Sequence, residues 1–169
     1  MHADLTAAGA RVVGISVDSP PRNAAMVDKL RLPFPLLSDS DGEGAITPFG
    51  VWHEGADMSR PAVVVLDPDG NEAVRQVGED FADRLPEDVL LARVQALDLP
   101  GTSQDPPAPG DAAASANAMP FEALKPYFLG GRFTAISLGD RVPEAAERAT
   151  VMREMYDRFI SAVDSTRKL

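Results

Sequence analysis

Arg60-Pro61 is the pair whose residue types and position most invite chemistry, because a charge stands immediately before the apolar run Ala62-Val63-Val64-Val65-Leu66. Three β-branched residues in a row suit a strand buried on both faces, and a guanidinium at its mouth is unusual for packing alone. Arg60 is therefore the first place to look for function, set against a surface arginine paired with acidic neighbours. Pro61, at the start of the run, suits an ordinary strand-start proline. Other constellations are weaker. Ser59, His53 and Asp57 allow a triad on paper, but no nucleophile-elbow motif accompanies them. Trp52-His53 suggests a metal or catalytic histidine, yet the chain has two histidines, too few for a convincing metal cage. Asp39-Ser40-Asp41-Gly42-Glu43 opens like a calcium loop, but its twelfth position is Gly50 and not glutamate, so a turn with a helix cap is the better reading. No cofactor is expected.

Composition narrows the field further. The 169 residues include no cysteine, which excludes disulfides, thiolate metal sites and thiol nucleophiles within them. A formal net charge of −10 argues against nucleic-acid or anionic-membrane partners. That charge is concentrated before residue 99, where 17 acidic residues face 8 basic ones; from Leu99 onward the counts are 9 and 8. No apolar run approaches the roughly 18 residues of a membrane span, and no basic-then-apolar leader opens the chain, so a cytoplasmic location is expected.

The elements that would position Arg60 follow from periodicity. Ala3 to Ala8 suits one or two helical turns before Gly9. Arg11 to Asp18 suits a buried strand, and Ser19-Pro20-Pro21 opens a helix that stops before Pro33. Pro33 to Asp39 is a short extended piece, followed by a short helix ending near Val51 and a loop from Trp52 to Ser59. Asp67-Pro68-Asp69-Gly70 supplies a turn, and Glu72 to Gly78 returns as the second strand of a hairpin. Pro86 to Leu97 carries an amphipathic helical stripe. The alternation predicts an α/β domain with a mixed sheet over residues 1–98. Residues 99–118, rich in Pro, Gly, Ala, Ser and Asp, read as a flexible linker.

Residues 119–169 form a helical C-terminal segment. Phe121, Leu124, Tyr127 and Phe128 cluster, Gly130-Gly131 is expected to break the helix, and a second helix starts at Pro143. Met152, Met155, Tyr156, Phe159, Ile160 and Val163 recur at helical spacing and read as core, or else as a surface for a homodimer or protein partner. Arg153 and Asp157 make an expected surface pair.

Four stretches, in order, carry a resemblance. Val13-Gly14-Ile15-Ser16-Val17-Asp18-Ser19-Pro20, Leu32-Pro33-Phe34-Pro35-Leu36-Leu37-Ser38-Asp39, Phe49-Gly50-Val51 and Arg60-Pro61-Ala62-Val63-Val64-Val65-Leu66-Asp67-Pro68-Asp69-Gly70 resemble the peroxiredoxins of the alkyl hydroperoxide reductase and thiol-specific antioxidant (redoxin) family. The resemblance covers about residues 3 to 98. It implies a thioredoxin-like fold and thiol-dependent reduction of hydroperoxides. It also implies that Arg60 matches the arginine that lowers the cysteine pKa and holds peroxide, and that Pro61 matches a proline, usually cis, facing the site.

The departure lies in the nucleophile. The family's proline, threonine and peroxidatic cysteine loop would precede residue 1, and His2 to Ala8 would match only the tail of the following helix. Thiolate chemistry cannot proceed without a thiol, so the chain is expected to be inactive as a thiol peroxidase. The strand before that loop would lie between the strands at Val12 to Val17 and Ala62 to Leu66, leaving their edges unpaired. These features suggest an N-terminally truncated redoxin domain. The alternative is a non-catalytic redoxin scaffold that binds or regulates a partner through its C-terminal helices.

Overall fold

Gly14–Ser16 (β1) and Leu36–Ser38 (β2) pair in parallel, with Gly14 opposite Leu36 and Ser16 opposite Ser38. Parallel strands need a crossover, and the helix Pro20–Leu30 (α2) supplies it. The computed structural model describes residues 1–81, 83–108 and 110–167. Pro20 and Pro21 occupy the first helical positions, where a missing N–H costs nothing, and Arg31 ends the helix in a left-handed conformation at φ 50°. Ser19 stands at the N-cap, but its hydroxyl makes no capping bond. Before β1 lies His2–Ala7 (α1), followed by Gly9 at φ 90°.

Beyond β2 the expected helix is absent. Residues 40–50 instead run as consecutive turns, with Val51 donating its N–H to Ile46 and Thr47 to Gly42. Gly42, Gly44 and Pro48 disfavour a helix over this short stretch, where no partner helix offsets their poor propensity. Gly42, at φ 73°, lies under the Trp52 indole, where a Cβ would come within 2.6 Å of the ring. The expected loop after Val51 contains a small antiparallel pair, Trp52–His53 (β3) with Met58–Ser59 (β4).

The hairpin that follows is as expected. Ala62–Leu66 (β5) pairs antiparallel with Glu72–Val77 (β6), with a register irregularity between Val65 and Leu66. Asp67 closes the turn, accepting the N–H groups of Asp69 at 2.9 Å and Asn71 at 2.8 Å, while Gly70 takes φ 85°. Glu87–Gln95 (α3) completes the regular elements of this part, with Val94 buried and Val89 exposed.

The chain is α/β, but its strands form three separate two-stranded sheets rather than one mixed sheet. β1 pairs only with β2, and β5 only with β6. The expectation that both strands are buried on two faces fails accordingly. Ala62 and Leu66 are exposed, Val63 to Val65 are half-buried, and Val13 retains 49% of its surface. With no sheet continuous across them, the apolar strands lack a covering layer.

The structure divides into two compact units, Met1–Ala114 and Ser115–Leu169. The division falls within the segment 99–118 that the sequence marks as a linker. Part of the segment read as linker is hydrogen-bonded to the first unit: Thr102 N–H to Thr6 at 2.8 Å and Ala113 N–H to Pro21 at 3.0 Å.

The second unit is a helical hairpin of Phe121–Arg141 (α4) and Ala146–Arg167 (α5), joined through a short 3₁₀ turn at Pro143–Ala145. Gly130-Gly131 does not interrupt α4. Two glycines and Pro126 weaken a helix by propensity alone, but packing on α5 compensates. The Tyr156 ring covers Gly131 so closely that a Cβ there would fall 2.3 Å from it. Phe128, Tyr156 and Phe159 form an aromatic cluster with ring centroids 5.1 to 6.5 Å apart. Asp157 pairs with Arg132 across the hairpin at 2.6 Å, not with Arg153, and Lys125 pairs with Asp164 at 2.7 Å.

Met155, at 1% exposure, is the most completely buried large side chain. Met155→Ala should lower stability by about 2–5 kcal/mol, whereas Val151→Ala at an exposed position should change it by less than about 0.5 kcal/mol. Urea titration followed by circular dichroism checks both. Equal effects from the two would contradict this core assignment.

Candidate functional site

Arg60 follows β4 and precedes β5, so two short hairpins fix its backbone. Its N–H donates to the Val51 carbonyl at 2.7 Å, and the Pro61 carbonyl accepts from Gly78 at 2.7 Å. These bonds hold the 60–61 peptide at the entrance to β5. The Arg60 side chain is exposed and makes no ion pair or hydrogen bond with the described residues. Pairing with acidic neighbours, the bland reading of this arginine, is therefore not observed. Pro61 is half-buried, and its peptide bond is trans, as are all those described. The cis conformation implied by the resemblance is not adopted.

The paper triad does not assemble. His53 pairs with Met58 in the β3–β4 ladder and Trp52 with Ser59, while the His53 Nδ1 lies 3.0 Å from the Glu54 carbonyl. No hydrogen bond joins Ser59, His53 and Asp57 among the described residues. The calcium-like sequence has another use as well. Asp39 is buried, and its two carboxylate oxygens accept from Gly44 at 2.9 Å, Ala45 at 2.9 Å and Ile46 at 2.8 Å. These are the donors that organise the turns from 40 to 51.

Those bonds set the electrostatics of Asp39. The Ile46 and Ala45 N–H groups, and less strongly that of Gly44, hold its carboxyl below the ordinary value of 3.8 against the opposing effect of burial. Asp67 is lowered in the same way, chiefly by the Asn71 N–H. Glu72 is lowered by Arg75, which also donates to the Phe49 carbonyl at 2.7 Å. The chain from Phe49 through the hairpin to Arg75 is thereby tied together around Arg60.

Two further residues support this region, and sequence reasoning did not single them out. Asn23, 3% exposed, accepts from the Ser16 hydroxyl at 3.0 Å and donates to the Leu37 carbonyl and the Ser38 hydroxyl, each at 3.1 Å. It bolts α2 to both strands of the parallel pair. The serines at matching strand positions were the only sequence signal. Gln104 is the second. Its side-chain amide accepts from the Val12 N–H at 2.8 Å and donates to the Val12 carbonyl at 2.6 Å.

Comparison with known proteins locates this geometry. Residues 1–75 match the model of the AhpC/TSA family. The chain is 34% identical over 94 residues to the peroxiredoxin Bcp of Escherichia coli (strain K12), covering 52% of this chain and 58% of that protein. It is 39% identical over 79 residues to the Mycobacterium tuberculosis (strain ATCC 25618 / H37Rv) protein named "Putative peroxiredoxin Rv2521", covering 43% and 50%. Residues 1–75 are thus similar to the AhpC/TSA family, and about half of the chain is similar to proteins named as peroxiredoxins. The match extends through β5 and includes Arg60 and Pro61, and the chain spans about half the length of the curated relatives it matches. No helix among the described residues is long and apolar enough to cross a membrane.

Two outcomes test this description. Arg60→Ala should leave thermal stability within about 0.5 kcal/mol of the parent, because the side chain has no partner to lose. A clear fall in melting temperature would show a contact that the description lacks. Asp39→Ala should destabilise the first unit at neutral pH. Because the folded pKa of Asp39 is depressed, its contribution is present above the unfolded value of about 3.9 and fades as pH falls toward the folded one. The gap between parent and variant should therefore narrow below about pH 4, as followed by denaturant titration across pH 2–7. A gap that stays constant through that window would contradict the assignment.

Proposed function

We propose that residues 1–98 are a thioredoxin-like scaffold of the peroxiredoxin type that presents one side of a redoxin site without its nucleophile. In such a site a cysteine thiolate attacks a peroxide oxygen. The O–O bond breaks, water or an alcohol leaves, and the resulting sulfenic acid is returned to the thiol by other thiols. These 169 residues contain no cysteine, so that step requires a thiol they do not supply. The single observation that carries the reading is the position of Arg60-Pro61. A guanidinium with no partner among the described residues stands at the entrance to β5, inside the stretch that matches the AhpC/TSA family. Arg60 is the residue we assign to holding an anion or peroxide, with Pro61 shaping the same wall. The chain by itself should consume neither hydrogen peroxide nor an organic hydroperoxide above the buffer rate with dithiothreitol or thioredoxin as reductant. Turnover well above buffer would overturn the proposal.

A second reading is favoured by a different observation. Tyr127 and Phe133 remain 59% and 60% exposed on α4 after the hairpin has packed. A non-catalytic scaffold that joins a second copy through these helices would use them as anchors, as aromatic side chains commonly serve at interfaces. Sedimentation should then show a dimer that Tyr127→Ser with Phe133→Ser disperses. A monomer at every concentration would remove this reading.

A further inference from the structure

The proline at position 35 creates a local deficit. In the parallel register of β1 and β2, Gly14 N–H donates to the Pro35 carbonyl, and extending that register toward the N-terminus would set Val12 opposite Phe34. Continuing the ladder would require the residue after Phe34 to donate its N–H to the Val12 carbonyl. That residue is Pro35, which has no N–H. The Val12 carbonyl therefore cannot be satisfied by β2.

Gln104 supplies the missing group from a segment 92 residues away. Its amide nitrogen donates to the Val12 carbonyl at 2.6 Å and its oxygen accepts the Val12 N–H at 2.8 Å, so one side chain replaces a whole peptide unit of a strand partner. His2 Nε2 lies 3.2 Å from the same oxygen, and its ring stacks near Phe34. Two backbone bonds flank this contact, Thr102 N–H to the Thr6 carbonyl and Ala113 N–H to the Pro21 carbonyl. The segment between α3 and α4 is thus fastened at three points along the first unit.

Its composition argues against a permanent core element. Residues 101–108 and 110–113 contain no large apolar side chain, so polar bonds alone oppose the entropy of ordering them. We propose that residues 101–108 and 110–113 form a releasable strap on the first unit, with Gln104 as its latch. Gln104 is a positioning residue for the strap, and the three fastenings open together.

Amide hydrogen exchange on the full chain, read residue by residue, tests this. In the parent the Thr102 and Ala113 amides should be protected. In Gln104→Ala both should exchange at least tenfold faster, while Gly14 and Asp39 in the β1–β2 ladder stay unchanged. Gln104→Glu keeps an acceptor for the Val12 N–H but loses the donor to its carbonyl, and should release the strap in the same way. Unaltered protection at Thr102 and Ala113 would overturn the proposal. So would acceleration of Gly14 and Asp39 by the same factor, which would make Gln104 an ordinary support of the fold.

Discussion

The demand that every backbone N–H and C=O find a partner governs this protein more than any side-chain contact does. In β1 the alternation of a parallel ladder turns Gly14 and Ser16 toward β2, and turns Val13 and Ile15 the other way. In β5 the Gly78 bond to Pro61 sets the same alternation, so Ala62, Val64 and Leu66 face away from β6. Neither outward edge is paired with another strand. The exposed apolar surface of Val13, Ile15 and Leu66 is the side-chain counterpart of that backbone fact.

What holds the pieces in place is then a set of polar substitutes for sheet continuity. Asn23 joins α2 to β1 and β2, Asp39 gathers three amides at the start of the turns, and Arg75 ties β6 back to Phe49. Gln104 does the same for Val12. Each acts through the short, fixed geometry of an amide, carboxylate or guanidinium, and removing Asn23, Asp39 or Gln104 would leave part-buried backbone groups without a partner, the costlier half of a hydrogen bond. Arg60 differs from them. Its backbone N–H is fixed on Val51, while its guanidinium makes no hydrogen bond or ion pair with the described residues.

Much of the local structure was legible in the sequence. Asp67 to Gly70 fixed the hairpin turn, Pro20-Pro21 the start of α2, and the Met and aromatic spacing the core of α5, because each depends on neighbours within a few residues. What escaped was what depends on distant partners. Gly130-Gly131 reads as a break until Tyr156 is packed over it. Asp157 reads as the partner of Arg153 until α4 brings Arg132 closer. The linker composition of 99–118 conceals the bonds of Thr102, Gln104 and Ala113, since nothing in a Pro- and Ala-rich stretch indicates an acceptor on Thr6 or Val12. For the candidate site, residue pattern placed Arg60-Pro61 at the mouth of a strand, but the exposure of that strand and the trans peptide were not foreseeable from it.

The pairing of β1–β2 and β5–β6 as separate ladders is what the rest of the first unit is built around. Through-space proton contacts in the NMR spectrum of the full chain test it most directly. Cross-strand contacts should join Gly14 to Leu36 and Val64 to Arg75, with none between Ile15 and Val64. Ladder contacts between β1 and β5 would contradict the account.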